Sequence, residues 1–133
     1  MTNGSPILRV TARYAVPLTG LVALRIFFQG HDAPGGGFIA GVLVAAAGAM
    51  ALLAFGVEWA ERRPWWKLSV VGLLCSLTTG LVPFLRGKPF MDNTILHLGS
   101  VHLPSATFFD LGVLLIVTGT LMTIFVELSL ERR

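Results

Sequence analysis

The stretch GFIAGVLVAAAGAMALLAFG, residues 37–56, runs for twenty residues without a charge. As an α-helix it would be about 30 Å long, the thickness of a bilayer's hydrocarbon core. A water-facing helix of that length would keep a polar face, and this one has none. Three more stretches have the same character. They lie at roughly 10–29, broken by Arg13, Pro17 and Arg25; at 65–85, with Lys67 near its start; and at 107–130, with Asp110 and Glu127 near its two ends. Only 13% of the residues are charged, against about a quarter in soluble domains, so a water-covered surface is out of reach. The predicted fold is an all-α integral membrane protein: one four-helix membrane domain over 1–133, with a long extracellular loop between helices 3 and 4 that has room for a short β-hairpin.

The charges that remain set an orientation. Arg9, Arg13, Arg62, Arg63, Lys67, Arg132 and Arg133 flank one side of the spans; Arg86, Lys88 and Arg25 belong to the other. Seven against three places both termini in the cytoplasm. Trp59, Trp65 and Trp66 then cluster at the cytoplasmic interface, as an aromatic belt would. Ten basic residues scattered between apolar runs make no basic groove, which argues against nucleic acid. The single cysteine, Cys75, rules out an intramolecular disulfide and suits a small packed residue. Arg9 and Arg13 ahead of an apolar run resemble a signal peptide, but no small-x-small cleavage site follows, so a retained anchor is expected.

Residues 30–41, GHDAPGGGFIAG, put a polar, breaker-rich mouth before the second span. Gly35, Gly37 and Ala40 match G-x-G-x-x-A formally, but no strand precedes them and no amphipathic helix follows, so a dinucleotide site is not expected. Gly87-Lys88-Pro89 lacks the rest of a phosphate loop. His31 and Asp32 are adjacent with no second ligand pair, which predicts no metal site. Packing explains the glycines better. Gly37, Gly41, Ala45 and Ala49 recur every fourth residue, and small residues at that spacing let membrane helices meet backbone to backbone. Self-association and contact with another subunit are both open uses of that face.

Ionisable groups at membrane depth cost about 2.5–3.5 kcal/mol on insertion scales, so each needs a partner or a path to water. Asp110 is the first candidate, either as a cation- or proton-accepting carboxylate or as part of a capping box, Thr107-x-x-Asp110. Arg25, near the same depth, would pair with Asp110 or snorkel to the headgroups. Glu127 lies one turn from the cytoplasmic end, within reach of Lys67, Arg13 or interfacial water. Pro17 and Pro83 each free a backbone carbonyl, and the stretch CSLTTGLVP offers Ser76, Thr78, Thr79 and Gly80 nearby as kinked packing or as ion and water ligands. In TILHLGSVHLPS, Gly99-Ser100 suits a type II′ turn; Leu98 would then face Val101 and His97 would face His102. Two histidines are too few for a closed metal site, and a short lid over the outer bundle is the plainer reading.

With GHDAPGGGFIAG opening the second span and FFDLGVLLIVTG (108–119) opening the fourth, the chain resembles the MnhB/MrpB family, small subunits of the Mrp (Mnh-type) multisubunit sodium/proton antiporters, from about Tyr14 to Leu130. The family pattern G-H-x-x-P-G-G-G-F is met by Gly30, His31, Pro34, Gly35, Gly36, Gly37 and Phe38. The pattern F-D-x-G-V is met by Phe109, Asp110, Gly112 and Val113. The resemblance implies a small subunit of a bacterial plasma-membrane complex exchanging Na⁺ for H⁺, with the other antiporter subunits and membrane lipid as partners. It implies no cofactor and no stand-alone activity; an enzyme reading has no nucleophile–base pair behind it. The ion-path candidates are Asp110, Glu127, Arg25 and Thr79, while His31, Pro34, Gly35, Gly36, Gly37, Phe38 and Gly41 form the motif and packing set. The alternative is a structural scaffold of this assembly, or of a related complex I-like or membrane-bound hydrogenase assembly, that touches no ion.

Overall fold

The computed structural model describes residues 5–30, 35–85, 87, 95–98 and 101–131. Helix α1 runs Pro6–Gln29 and α2 runs Gly37–Phe55; a single turn, α3, covers Glu58–Glu61. Helix α4 spans Trp65–Leu85, strands β1 and β2 cover Ile95–Leu98 and Val101–Pro104, and α5 covers Ser105–Glu131. Four of these helices are long and apolar enough to cross a membrane. The third span begins and ends where the apolar run does. The first begins four residues earlier than expected, because Pro6 fits the first turn of a helix, where no N–H partner is needed. Pro17 sits inside α1 without ending it. The turn α3 is not among the expected elements; it fills the link between the second and third spans.

The helices form a row. α1 packs on α2, α2 on α5, and α5 on α4. Burial follows this order: within the spanning windows 39% of α2 is buried but only 11% of α1, which marks α2 as an inner helix and α1 as an edge. Arg9 Nε donates to the Ala54 carbonyl at 3.2 Å, so α1 and α2 run antiparallel and a cation sits on the carboxyl end of α2. The pairing of Gly37 with Asp110 and of Gly48 with Met122 makes α2 and α5 parallel. α4 and α5 are antiparallel, with Ser69 Oγ donating to Ile116 O at 3.3 Å and Ser76 Oγ to Phe109 O at 3.3 Å. The start of α1 and the end of α5 therefore lie at one end of the row, beside α3.

At that end Leu52, Val57, Ala60, Met122 and Val126 form a core, with Trp59 and Trp65 packed against it. The two indoles meet edge to face at 6.1 Å, and Trp65 Nε1 donates to Ala60 O at 2.9 Å. The expected aromatic belt is thus divided: Trp59 and Trp65 are half-buried structural residues, and only Trp66 is exposed. At the other end β1 and β2 pair antiparallel, with Leu98 opposite Val101 and His97 opposite His102, the expected register. Their turn, residues 99–100, lies outside the described residues.

Candidate functional site

The second span begins where three helices converge, and its three glycines answer three separate demands. A side chain at Gly35 would stand 2.8 Å from the Ile26 carbonyl of α1. Gly36 adopts φ 88 and ψ −170, a region essentially closed to residues with a Cβ, while its N–H donates to Ile26 O at 3.3 Å. A Cβ on Gly37 would collide with the backbone carbonyl of Asp110 on α5. The run is a junction of α1, α2 and α5 at backbone distance, and the described element before it is the helix α1. His31, Asp32 and Pro34 lie outside the described residues. Phe38, expected to pack at the rim, is 62% exposed within this chain.

The small-residue stripe continues down α2 but not in strict fours. A side chain at Gly41 would stand 3.0 Å from Leu114 O and from Val117 Cβ, and Gly48 lies against the Met122 sulfur. Gly48 takes the place expected of Ala49, which is half-buried. A straight helix repeats every 3.6 residues, so a strict four-residue pattern drifts off the contact face and a step of three restores it. The covering helix is α5 of the same chain. Both open uses of this face, self-association and contact with another subunit, are thereby corrected. Thr118 Oγ1, buried, donates to the Gly41 carbonyl at 3.3 Å and ties the pair.

A second close crossing, between α4 and α5, is not among the sequence expectations. A Cβ on Gly72 would sit 2.5 Å from Gly112 O, and one on Gly119 would sit 2.6 Å from Ser69 Oγ. The signal for it is present: Ser69, Gly72 and Ser76 recur at helical spacing on α4, and Gly112 and Gly119 lie two turns apart on α5. Of these, Gly112 stands out in the sequence only as part of a motif. Serine and threonine hydroxyls bonding across these crossings are worth about 0.6 kcal/mol apiece in membrane proteins, so backbone proximity is the larger organising force.

Asp110 emerges in an unexpected role. Helix α5 starts at Ser105, two residues earlier than expected, so Thr107 is already helical and Asp110 lies beyond the first turn. The capping-box reading is therefore corrected. The Asp110 carboxylate instead faces the amino end of α2, with Oδ2 3.1 Å from where a Gly36 Cβ would stand. An anion beside a helix's positive end is electrostatically favoured, more so where water is scarce. This half-buried carboxylate lies about 8 Å into α5.

The other ion-path candidates do not join it. Arg25 is exposed on α1, and α2 stands between α1 and α5, so the Arg25–Asp110 pair does not form among the described residues. Glu127 is exposed near the opposite end of α5, about 26 Å from Asp110. Thr79 donates to the Cys75 carbonyl of its own helix at 2.8 Å, and Cys75 Sγ reaches Phe108 O at 3.5 Å. The described residues bring no three His, Cys, Asp or Glu side chains together.

Four membrane-crossing helices in a row, joined by close glycine contacts, define a small multi-pass membrane protein. A family model described as a domain related to the MnhB subunit of Na⁺/H⁺ antiporter matches residues 7–123, and this chain belongs to that family. It is 35% identical over 137 residues to a protein of Staphylococcus epidermidis named antiporter subunit mnhB2, covering 97% of both chains. A namesake in Staphylococcus haemolyticus is 36% identical, with the same coverage. One chain in the solved structure of the Mrp complex from Dietzia sp. DQ12-45-1b superposes with a TM-score of 0.80 at 34% identity. The match covers 92% of this chain, which spans 14% of that one.

Proposed function

We propose that this protein is a small membrane subunit of a multisubunit Na⁺/H⁺ antiporter of a bacterial plasma membrane, acting with the other Mrp-type subunits. The observation that carries the reading is the full-length match to proteins named as antiporter subunits, joined to a fold of four membrane helices. The four helices act as one unit over 1–133. Asp110 is the residue assigned to the edge of an ion path, as the one candidate carboxylate half-buried where three helices meet. A scaffold role is the second reading, favoured by the failure of Arg25, Thr79 and Glu127 to gather around it.

Transport by a single chain would need a relay of polar groups across the membrane, and Asp110 and Glu127 stand too far apart to supply one. Reconstituted alone into vesicles, the chain should give no Na⁺-dependent proton flux, whereas its gently solubilised membranes should yield co-purifying antiporter subunits. Exchange by the pure chain, or its recovery without partners, would sink the subunit reading. Both termini are proposed to be cytoplasmic. With Cys75 replaced by alanine, single cysteines at positions 33 and 92 should react with an impermeant maleimide from outside, and one at position 3 only after permeabilisation. The reverse pattern would invert the orientation.

A further inference from the structure

An open groove of about 410 Å³ lies where α3 turns into α4, lined by Arg63, Pro64, Trp65, Lys67, Leu68 and Val71. Its surface is almost wholly apolar. Near its α3 end stand Arg63 and Lys67, exposed cations four residues apart that line it with their stems. The Arg63 guanidinium lies 6.0 Å from the Trp59 ring and the Lys67 ammonium 5.7 Å from the Trp66 ring. Aromatic faces hold both heads at this level of the helix row. Neither Glu58 nor Glu61 lines the groove. At the other end Leu68 and Val71 lead onto the exposed face of α4, where Val71 is followed one turn on by exposed Leu74. Since α4 is the edge helix and begins at Trp65, the cations stand at the bilayer's polar boundary and the apolar end points into its core.

We infer that this groove binds an anionic phospholipid, its phosphate between Arg63 and Lys67 and one acyl chain along Leu68 and Val71. Charge complementarity names the occupant: two cations at a membrane surface attract an acidic headgroup at about 1 kcal/mol each. Size agrees, because the apolar groove takes the start of one acyl chain with the headgroup at its edge, while a docked helix needs a contact face several turns long. The inference requires only that the chain spans a bilayer, so it stands apart from the antiporter reading.

The full-length protein, purified in detergent with whatever subunits accompany it, can be titrated with dioleoylphosphatidylglycerol and read by native mass spectrometry. Binding should exceed that of dioleoylphosphatidylcholine. It should weaken about 30-fold in the double variant R63Q/K67Q, a factor of about five for each cation. Val71→Trp, which fills the apolar end without changing charge, should also weaken it. Arg62→Gln removes a neighbouring exposed cation that does not line the groove and should leave binding unchanged. Equal loss in Arg62→Gln would mean diffuse surface attraction and overturn the site. Displacement by inorganic phosphate would mean a free-anion site and overturn it too. A photo-crosslinker at position 71 should capture lipid; capture of a companion protein chain would show that the groove is a subunit contact instead.

Discussion

Replacing Gly37 with alanine should lower the thermal midpoint of the purified protein and cut its recovery from membranes, and Gly37→Leu should abolish recovery. The added methyl of Gly37→Ala would occupy the same space as the Asp110 carbonyl, and backbone has no rotamer to retreat into. α2 must then move away from α5, loosening the contacts of Gly41 and Gly48 further down the same interface. Overpacking of this kind typically costs about 1–3 kcal/mol, and here the moving part is the inner helix of the row. Gly20 on α1 is the control: a Cβ there meets nothing within 4 Å. Gly20→Ala should be neutral or raise stability by up to about 1 kcal/mol through helix propensity. Melting followed by size-exclusion recovery after heating separates the two cases. If Gly37→Ala melts like Gly20→Ala, the close approach of α2 and α5 is not what holds this end together.

That contrast shows which parts of the molecule can be read in its sequence. Span positions follow from apolar run length, because a bilayer imposes a minimum length and loops offer few competing signals. The strand register around Gly99-Ser100 follows from two-residue alternation, a local rule. The partner of the glycine face is not legible, because an almost uniformly apolar helix carries no polarity pattern to say which neighbour it meets. Gly37 and Gly41 announce close approach, but only the fold shows that Gly48 continues the face and that α5 arrives, parallel to α2 and two spans later in the chain. Asp110 stands out by its charge, and of its two sequence readings only the capping box is misplaced. The local pattern Thr107-x-x-Asp110 fits a cap, but α5 starts at Ser105, directly after β2 ends at Pro104, which carries the carboxylate past its own first turn to the head of another helix. Arg25 misleads for a similar reason: equal depth in a membrane does not imply adjacency, and an intervening helix is invisible to a depth argument.

Asp110→Asn should leave the antiporter complex assembled while Na⁺-dependent proton flux falls by tenfold or more. The substitution keeps the side chain's size, so the Gly36–Gly37 junction is undisturbed, and it removes only the charge and the titratable proton. Two effects are to be separated. The carboxylate stabilises the amino end of α2, and a charge at such an end is worth about 0.3–1 kcal/mol when exposed and up to about 2 kcal/mol when partly buried. Losing that interaction lowers the melting temperature and, at most, the amount of complex. Losing a proton- or cation-accepting group lowers flux per assembled complex, and about 1.4 kcal/mol of lost stabilisation along the path already gives tenfold. The measurement is therefore a ratio: initial flux in inverted vesicles divided by complex recovered from the same vesicles on a native gel. Asp110→Glu sharpens it. The variant keeps charge and proton but adds a methylene at a crowded junction, so it should assemble less well yet transport better per complex than Asp110→Asn. If flux per complex is unchanged in Asp110→Asn, Asp110 serves only the head of α2. The ion path then lies in companion subunits, and this chain's contribution reduces to holding helices at backbone distance.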